Sequence, residues 1–228
     1  MYVDEIMRTN LITVSPDTTL VAARDLLNNK KIEHLLVTDK DQKLIGIVSD
    51  RDIRQNWASP ATTLSTHELH YLLDKITVKM IMVKTVISVP VSTTVERAAF
   101  IMRQHDIKCL PVMRDDKLVG IITSGDVMGV LLDAIGLGDG QGEDSTRLSV
   151  FVRDRIGSLA RITSLLSQAG INIQSMLFWA LPGHPGILQM VIRVSVSDRD
   201  QAMKALAAGG VTAKNYYTED LTPFLPKD

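Results

Sequence analysis

The 228-residue chain has one cysteine, Cys109, few aromatic residues (4%) and no excess of either charge. A lone thiol can close no internal disulfide and build no thiolate zinc site, so a reducing, cytoplasmic setting is expected. Lys and Arg (25) nearly balance Asp and Glu (26), leaving no global field to draw in nucleic acid or anionic lipid, and neither is expected as a partner. The most apolar long stretch, Leu118 to Leu137, is broken by Asp126, Asp133 and several glycines, which excludes a spanning helix. The opening Met1-Tyr2-Val3-Asp4-Glu5 carries acids where a secretory signal carries bases, so export is not expected. What is present is ordinary globular material, 45% hydrophobic and 22% charged. At roughly 150 residues per domain, that length suggests two domains.

The first half is a tandem duplication. The segment from Val3 to Ile53 returns from Val78 to Val127 at an offset of 75 residues, falling to 74 after one deletion. Ile6-Met7 matches Ile81-Met82, Ile12-Thr13-Val14 matches Ile87-Ser88-Val89, and Gly46-Ile47-Val48-Ser49 matches Gly120-Ile121-Ile122-Thr123. Each copy predicts a short extended piece, a turn rich in Ser, Thr and Pro that caps a helix, two apolar strands around a polar loop, and a closing helix near Asp50 or Ser124. Leu20, Ala23, Leu26 and Leu27 form the core stripe of the first helix, and Val95, Ala98, Ala99 and Met102 that of its counterpart. Copies of about 60 residues are marginal alone. Packing them about a pseudo-twofold axis would cover their apolar faces and create two equivalent clefts.

Both copies end on glycine, two apolar residues, a hydroxyl residue, two variable residues and an acid: Gly46 to Asp52 and Gly120 to Asp126. One reading is a helix cap, since Ser49 or Thr123 with an acid three residues on resembles a capping box. The other is a ligand site. A hydroxyl beside the free N–H groups of a helix start can hold phosphate. The two oxygens of a carboxylate one turn later suit a ribose diol.

These motifs, with Leu110-Pro111-Val112 and the Ile-Met and Ile-Thr-Val openings, resemble a tandem pair of cystathionine-β-synthase (CBS) domains, the Bateman module, over residues 1–135. The resemblance implies adenine-nucleotide binding between the repeats, with AMP, ADP, ATP or another adenosyl compound as ligand and no resident cofactor. It places Ser49 and Thr123 on phosphate, Asp52 and Asp126 on ribose, and Thr13, Val14, Ser88 and Val89 on adenine. Leu36 stands where the second copy has Pro111, so the two cleft edges differ. His34 and Cys109 occupy matching positions, where some relatives hold phosphate with a base. His34 has a phosphate reading and a packing reading, and Cys109 only the latter. Arg51 is either a phosphate ligand or a solvated charge. Between the repeats, Ser65-Thr66-His67-Glu68 reads as a capping box before a helix carrying Leu69, Leu72 and Leu73. His67 and His70 lack a third ligand, so no metal is expected.

Gly136, Gly138, Gly140 and Gly142 form a tether. Beyond it the pattern is strand (Leu148–Val152), helix (Leu159, Ile162, Leu165, Leu166), two strands, helix and a closing strand from Val211 to Tyr217. In the second of the paired strands Leu188, Met190, Ile192, Val194 and Val196 alternate onto one face. This order is the ferredoxin-like βαββαβ arrangement, and the fold class is α/β (α+β). Asp154 to Ile162 with Gly170-Ile171-Asn172-Ile173 resembles an ACT domain. That resemblance implies an amino-acid site at a dimer interface, involving Asp154, Gly157, Ser158, Leu159 and Asn172. The expected division is 1–60 and 61–135 for the repeats, 136–145 for the tether and 146–218 for the ACT domain.

A CBS pair followed by ACT resembles the acetoin-utilisation (AcuB-like) proteins. A non-catalytic regulatory sensor, homodimeric or of higher order, is the expectation. The five histidines form no catalytic constellation, which disfavours the alternative of an enzyme acting on small carbon metabolites. A scaffold that recruits another protein is the remaining alternative.

Overall fold

The computed structural model describes residues 1–57, 65–138 and 144–226. Gly140 and Gly142 of the expected tether lie outside the described residues. The chain divides into two compact units, Met1–Val127 and Met128–Asp228.

In the first unit a 3-10 turn (Val3–Glu5) precedes β1 (Thr13–Val14), α1 (Leu20–Lys30), β2 (His34–Thr38), β3 (Leu44–Ser49) and α2 (Asp50–Gln55). A connecting helix follows, α3 (Thr66–Leu73), and α4 (Val78–Ile81) opens the second copy. The second copy then supplies β4 (Val89–Pro90), α5 (Val95–Gln104), β5 (Cys109–Arg114), β6 (Lys117–Thr123) and α6 (Ser124–Ala134), within which the boundary of the units falls. Each copy forms a three-stranded sheet, β1-β2-β3 or β4-β5-β6, with its short strand parallel to the middle one and a hairpin antiparallel.

The local signals act as expected. The Thr19 and Thr94 hydroxyls accept the N–H groups of Ala22 and Arg97, both at 3.2 Å, satisfying first-turn donors of α1 and α5. Leu20, Ala23 and Leu27, like Val95, Ala98 and Met102, are buried. The Ser65–Glu68 box caps α3, with Leu73 buried but Leu72 exposed.

The duplication does not coincide with the packing units. Val3 belongs to the core of the second copy, with Leu110, Val112 and Ile122, and its N–H donates to Thr93 O at 2.8 Å. Val78, its equivalent, belongs to the core of the first copy, with Leu35, Val37 and Val48, and donates to Thr18 O at 2.8 Å. Arg8 bridges Ile121, and its equivalent Val83 bridges Ile47. The two copies therefore exchange their opening segments, and the chain crosses from one half to the other at residues 9–12 and 84–87.

Glycines mark the crossings. A Cβ on Gly46 would lie 2.5 Å from the Met82 sulfur, and one on Gly120 would lie 2.3 Å from the Met7 sulfur. Each exchanged methionine thus sits on bare backbone of the opposite sheet.

In the second unit, β7 (Ser145–Arg153), α7 (Ser158–Gln168), β8 (Ser175–Ala180), β9 (Ile187–Ser195) and α8 (Arg199–Ala208) form an antiparallel sheet of order β7-β9-β8 over two helices. Leu148, Val150, Met190 and Ile192 bury one sheet face against Ile162, Leu166 and Leu206. Three details differ from the sequence pattern. The expected closing strand is a single bridge between Lys214 and Ser149, because Val211 and Ala213 turn into the core while Tyr216 and Tyr217 point to solvent and extend no ladder. Val196 is exposed because β9 ends at Ser195, and Leu159 is exposed in the first turn of α7.

Candidate functional site

At the β3–α2 junction Ser49 is the N-cap in extended backbone. Its N–H and hydroxyl both donate to Asp52 Oδ2, at 2.8 and 2.6 Å, and the Asp52 N–H donates to Ser49 Oγ at 3.3 Å. Thr123 and Asp126 repeat this arrangement with the same distances. The capping box is therefore formed in both copies. It does not close off the space beside it.

A cavity of about 480 Å³, cleft A, adjoins the first box and is lined by His34, Ser49, Arg51, Asp52, Cys109 and Pro111 among others. Cleft B, about 400 Å³, adjoins the second and is lined by His34, Leu36, Thr123, Ser124 and Gly125 among others. Both lie in the range of roughly 300–1,000 Å³ typical of small-molecule pockets. Each takes its hydroxyl from one copy and a crossing segment from the other: Thr85, Val86 and Ile87 in cleft A, Asn10, Leu11 and Ile12 in cleft B.

The two acids are not in the same state. Among the described residues Asp52 Oδ1 accepts no hydrogen bond, whereas Asp126 Oδ1 accepts from Arg8 at 3.1 Å within an ion pair of 3.0 Å. Arg8 lines cleft B, and Asp126 is not among its lining residues. The position equivalent to Arg8 is Val83, which cannot do the same.

His34 stands at the wall shared by both clefts. Burial pushes its imidazole below the usual range, Lys108 adds to this, and Glu33 and Asp52 pull the other way. Cys109, its counterpart, has its thiol pushed up to about 12 by burial, with Glu33 contributing. The thiol is therefore protonated at neutral pH and a poor nucleophile. Folded protein should label with iodoacetamide much more slowly at pH 8 than urea-unfolded protein; rapid labelling of the folded chain would contradict this placement.

Of the residues read from the sequence, Val14 and Val89 are buried in the two cores, and neither they nor Thr13 and Ser88 line either cleft. The crossing segments immediately before those strands stand there instead. The sequence reading also missed Arg8, Lys31, Glu33, Asp106 and Lys108. Their signal is present as charge differences between equivalent positions, Lys31 against Asp106 and Glu33 against Lys108. Lys31 and Asp106 both adopt left-handed backbone, φ 52° and 51°, at the ends of α1 and α5. No group of three or more metal-ligating side chains occurs among the described residues, and the His67 and His70 side chains lie outside them.

In the second unit a cavity of about 660 Å³ is lined by Gly157, Ser158, Arg155, Arg161, Phe151 and Phe224 among others. Gly157 holds φ 90° as the N-cap of α7, a conformation that favours glycine although a Cβ there would meet nothing. The Ser158 hydroxyl donates to Arg153 O at 2.7 Å. Asp154, Leu159 and Asn172 are not among the lining residues.

A doubled unit with two crossed clefts is followed by a second α/β domain, a three-stranded antiparallel sheet over two helices. The comparisons agree. The CBS domain model matches residues 3–59 and 78–133, and the ACT domain model residues 146–208. The chain is 31% identical over 136 residues to a CBS domain-containing protein of Dictyostelium discoideum, covering 59% of this chain and 94% of that protein. It thus belongs to the CBS-domain family and carries an ACT domain. It is 30% identical over 124 residues to the inosine-5'-monophosphate dehydrogenase of Aquifex aeolicus, covering 52% of this chain but 22% of the enzyme. Among solved structures, CBSX2 in complex with AMP is 34% identical, with 58% of this chain and 97% of that one covered (TM-score 0.48). A candidate acetoin utilization protein (AcuB) of Vibrio cholerae is 30% identical, with 58% and 91% covered (TM-score 0.49). No helix among the described residues is long and apolar enough to cross a membrane.

Proposed function

We propose that this chain is a cytoplasmic, non-catalytic regulator that binds adenine nucleotides in the clefts between its CBS repeats. The observation that carries the reading is the doubled hydroxyl–acid pair, each set beside a cavity bounded by a crossing segment of the other repeat. In cleft A the unshared oxygen of Asp52 accepts from a ribose hydroxyl, the base rests against Thr85 to Ile87 and Pro111, and Ser49 and Arg51 take the phosphate. Because each cleft is built from both repeats, a ligand that fits one arrangement of the halves better than another shifts the population toward it. The ACT domain dimerises the chain and takes an amino acid at the Gly157–Ser158 turn. The order CBS–CBS–ACT supports an acetoin-utilisation-like role.

AMP, ADP and ATP are the first compounds to test by thermal unfolding and calorimetric titration. A ligand at 100 times its Kd stabilises by about 2.7 kcal/mol. That stabilisation should disappear in Asp52→Ala/Asp126→Ala, measured as the difference between loaded and free variant so that loss of the caps cancels. Unchanged melting with all three compounds would defeat the reading.

A further inference from the structure

The two clefts are related by the duplication, yet their charges are opposed. Cleft B is walled by Arg8 and Lys31, cleft A at the equivalent positions by Val83 and Asp106. Glu33 and Lys108 line both and so distinguish neither. Cleft A further carries the Asp50–Arg54 ion pair, Arg51 and the open oxygen of Asp52. Cleft B is basic in balance, and cleft A acidic.

We infer that cleft B is the polyphosphate site, opened when Arg8 exchanges the Asp126 carboxylate for a phosphate of the ligand, and that cleft A takes adenosyl compounds with at most one phosphate. The assignment of nucleosides rests on the function proposed above; the phosphate switch at Arg8 does not. The Arg8 side chain is 60% exposed, and ion pairs this wet are weakly held. A polyphosphate offers the guanidinium more charge and a two-point contact that matches its fork. Leaving Asp126 uncovers a carboxylate that is 12% exposed and, among the described residues, otherwise bound only by its own cap, free then for a ribose. Lys31, the left-handed C-cap of α1, stands on the same wall and adds a second positive charge.

Inorganic tripolyphosphate, which has no ribose, tests the switch by titration calorimetry on the full chain. Arg8→Ala should bind it about tenfold more weakly than the unaltered chain, the range of a lost charged hydrogen bond. Asp126→Asn should bind it severalfold more tightly, because it removes the competitor and leaves Arg8. Both substitutions abolish the same ion pair, so a purely structural pair would move both affinities together. Movement in the same direction, or no movement, overturns the inference. Binding of AMP without any binding of tripolyphosphate also overturns it while leaving the nucleotide reading intact. Tripolyphosphate binding with the opposed shifts, but no binding of any adenosine compound, supports the switch and removes the nucleotide reading instead.

Discussion

Deleting Met1–Arg8 should destabilise the first unit by about 3–5 kcal/mol and should open the second repeat, not the one to which those residues belong in sequence. Val3 is wholly buried in the second core, and Ile6 and Met7 pack against it. Full burial of one such side chain contributes about 1.5–3 kcal/mol. Each backbone hydrogen bond, such as Val3 N–H to Thr93 O or Arg8 N–H to Ile121 O, adds about 0.5–1.5 kcal/mol net. Hydrogen exchange should show protection falling first in β5 and β6, with β2 and β3 following. Early loss in β2 and β3 would mean that the openings are not exchanged.

Truncating either central leucine, Leu35→Ala or Leu110→Ala, should cost about 2–5 kcal/mol, the range for a large-to-small change at a fully buried site. The two residues occupy equivalent strand positions, opposite Val48 and Ile122, in separate cores. The exchange couples those cores, so each substitution should lower one common unfolding transition of the first unit. Urea unfolding followed by probes placed in each repeat measures this. Two separated transitions, with only the mutated repeat affected, would contradict the coupling.

Much of this molecule is legible in its residues. Thr19 and Thr94 announce their helices, the apolar stripes of α1 and α5 predict what is buried, and the apolar runs on either side of each polar loop pair as hairpins. The paired Ser49–Asp52 and Thr123–Asp126 boxes are equally readable, because capping is a contact over three residues. The exchange is a different kind of fact. Self-similarity at a fixed offset is the same whether each opening packs on its own copy or on the other, so no periodicity could assign Val3 to the second core. For the same reason the family resemblance points to Thr13, Val14, Ser88 and Val89 for the base, whereas the cleft linings hold the residues just before them, Asn10 to Ile12 and Thr85 to Ile87. The Arg8–Asp126 pair spans 118 residues and depends on that crossing. Only the charge at position 8, absent from Val83, signals that the acids differ.

The crossed openings also bear on how the first unit could be divided. If the backbone were severed between Trp57 and Ser65, the leading fragment would keep Val3 but lack Val78, and the trailing fragment the reverse. Neither piece could complete its own interior, and each would hold the wedge that the other needs. Recombination of the two would restore both interiors and both hollows at once.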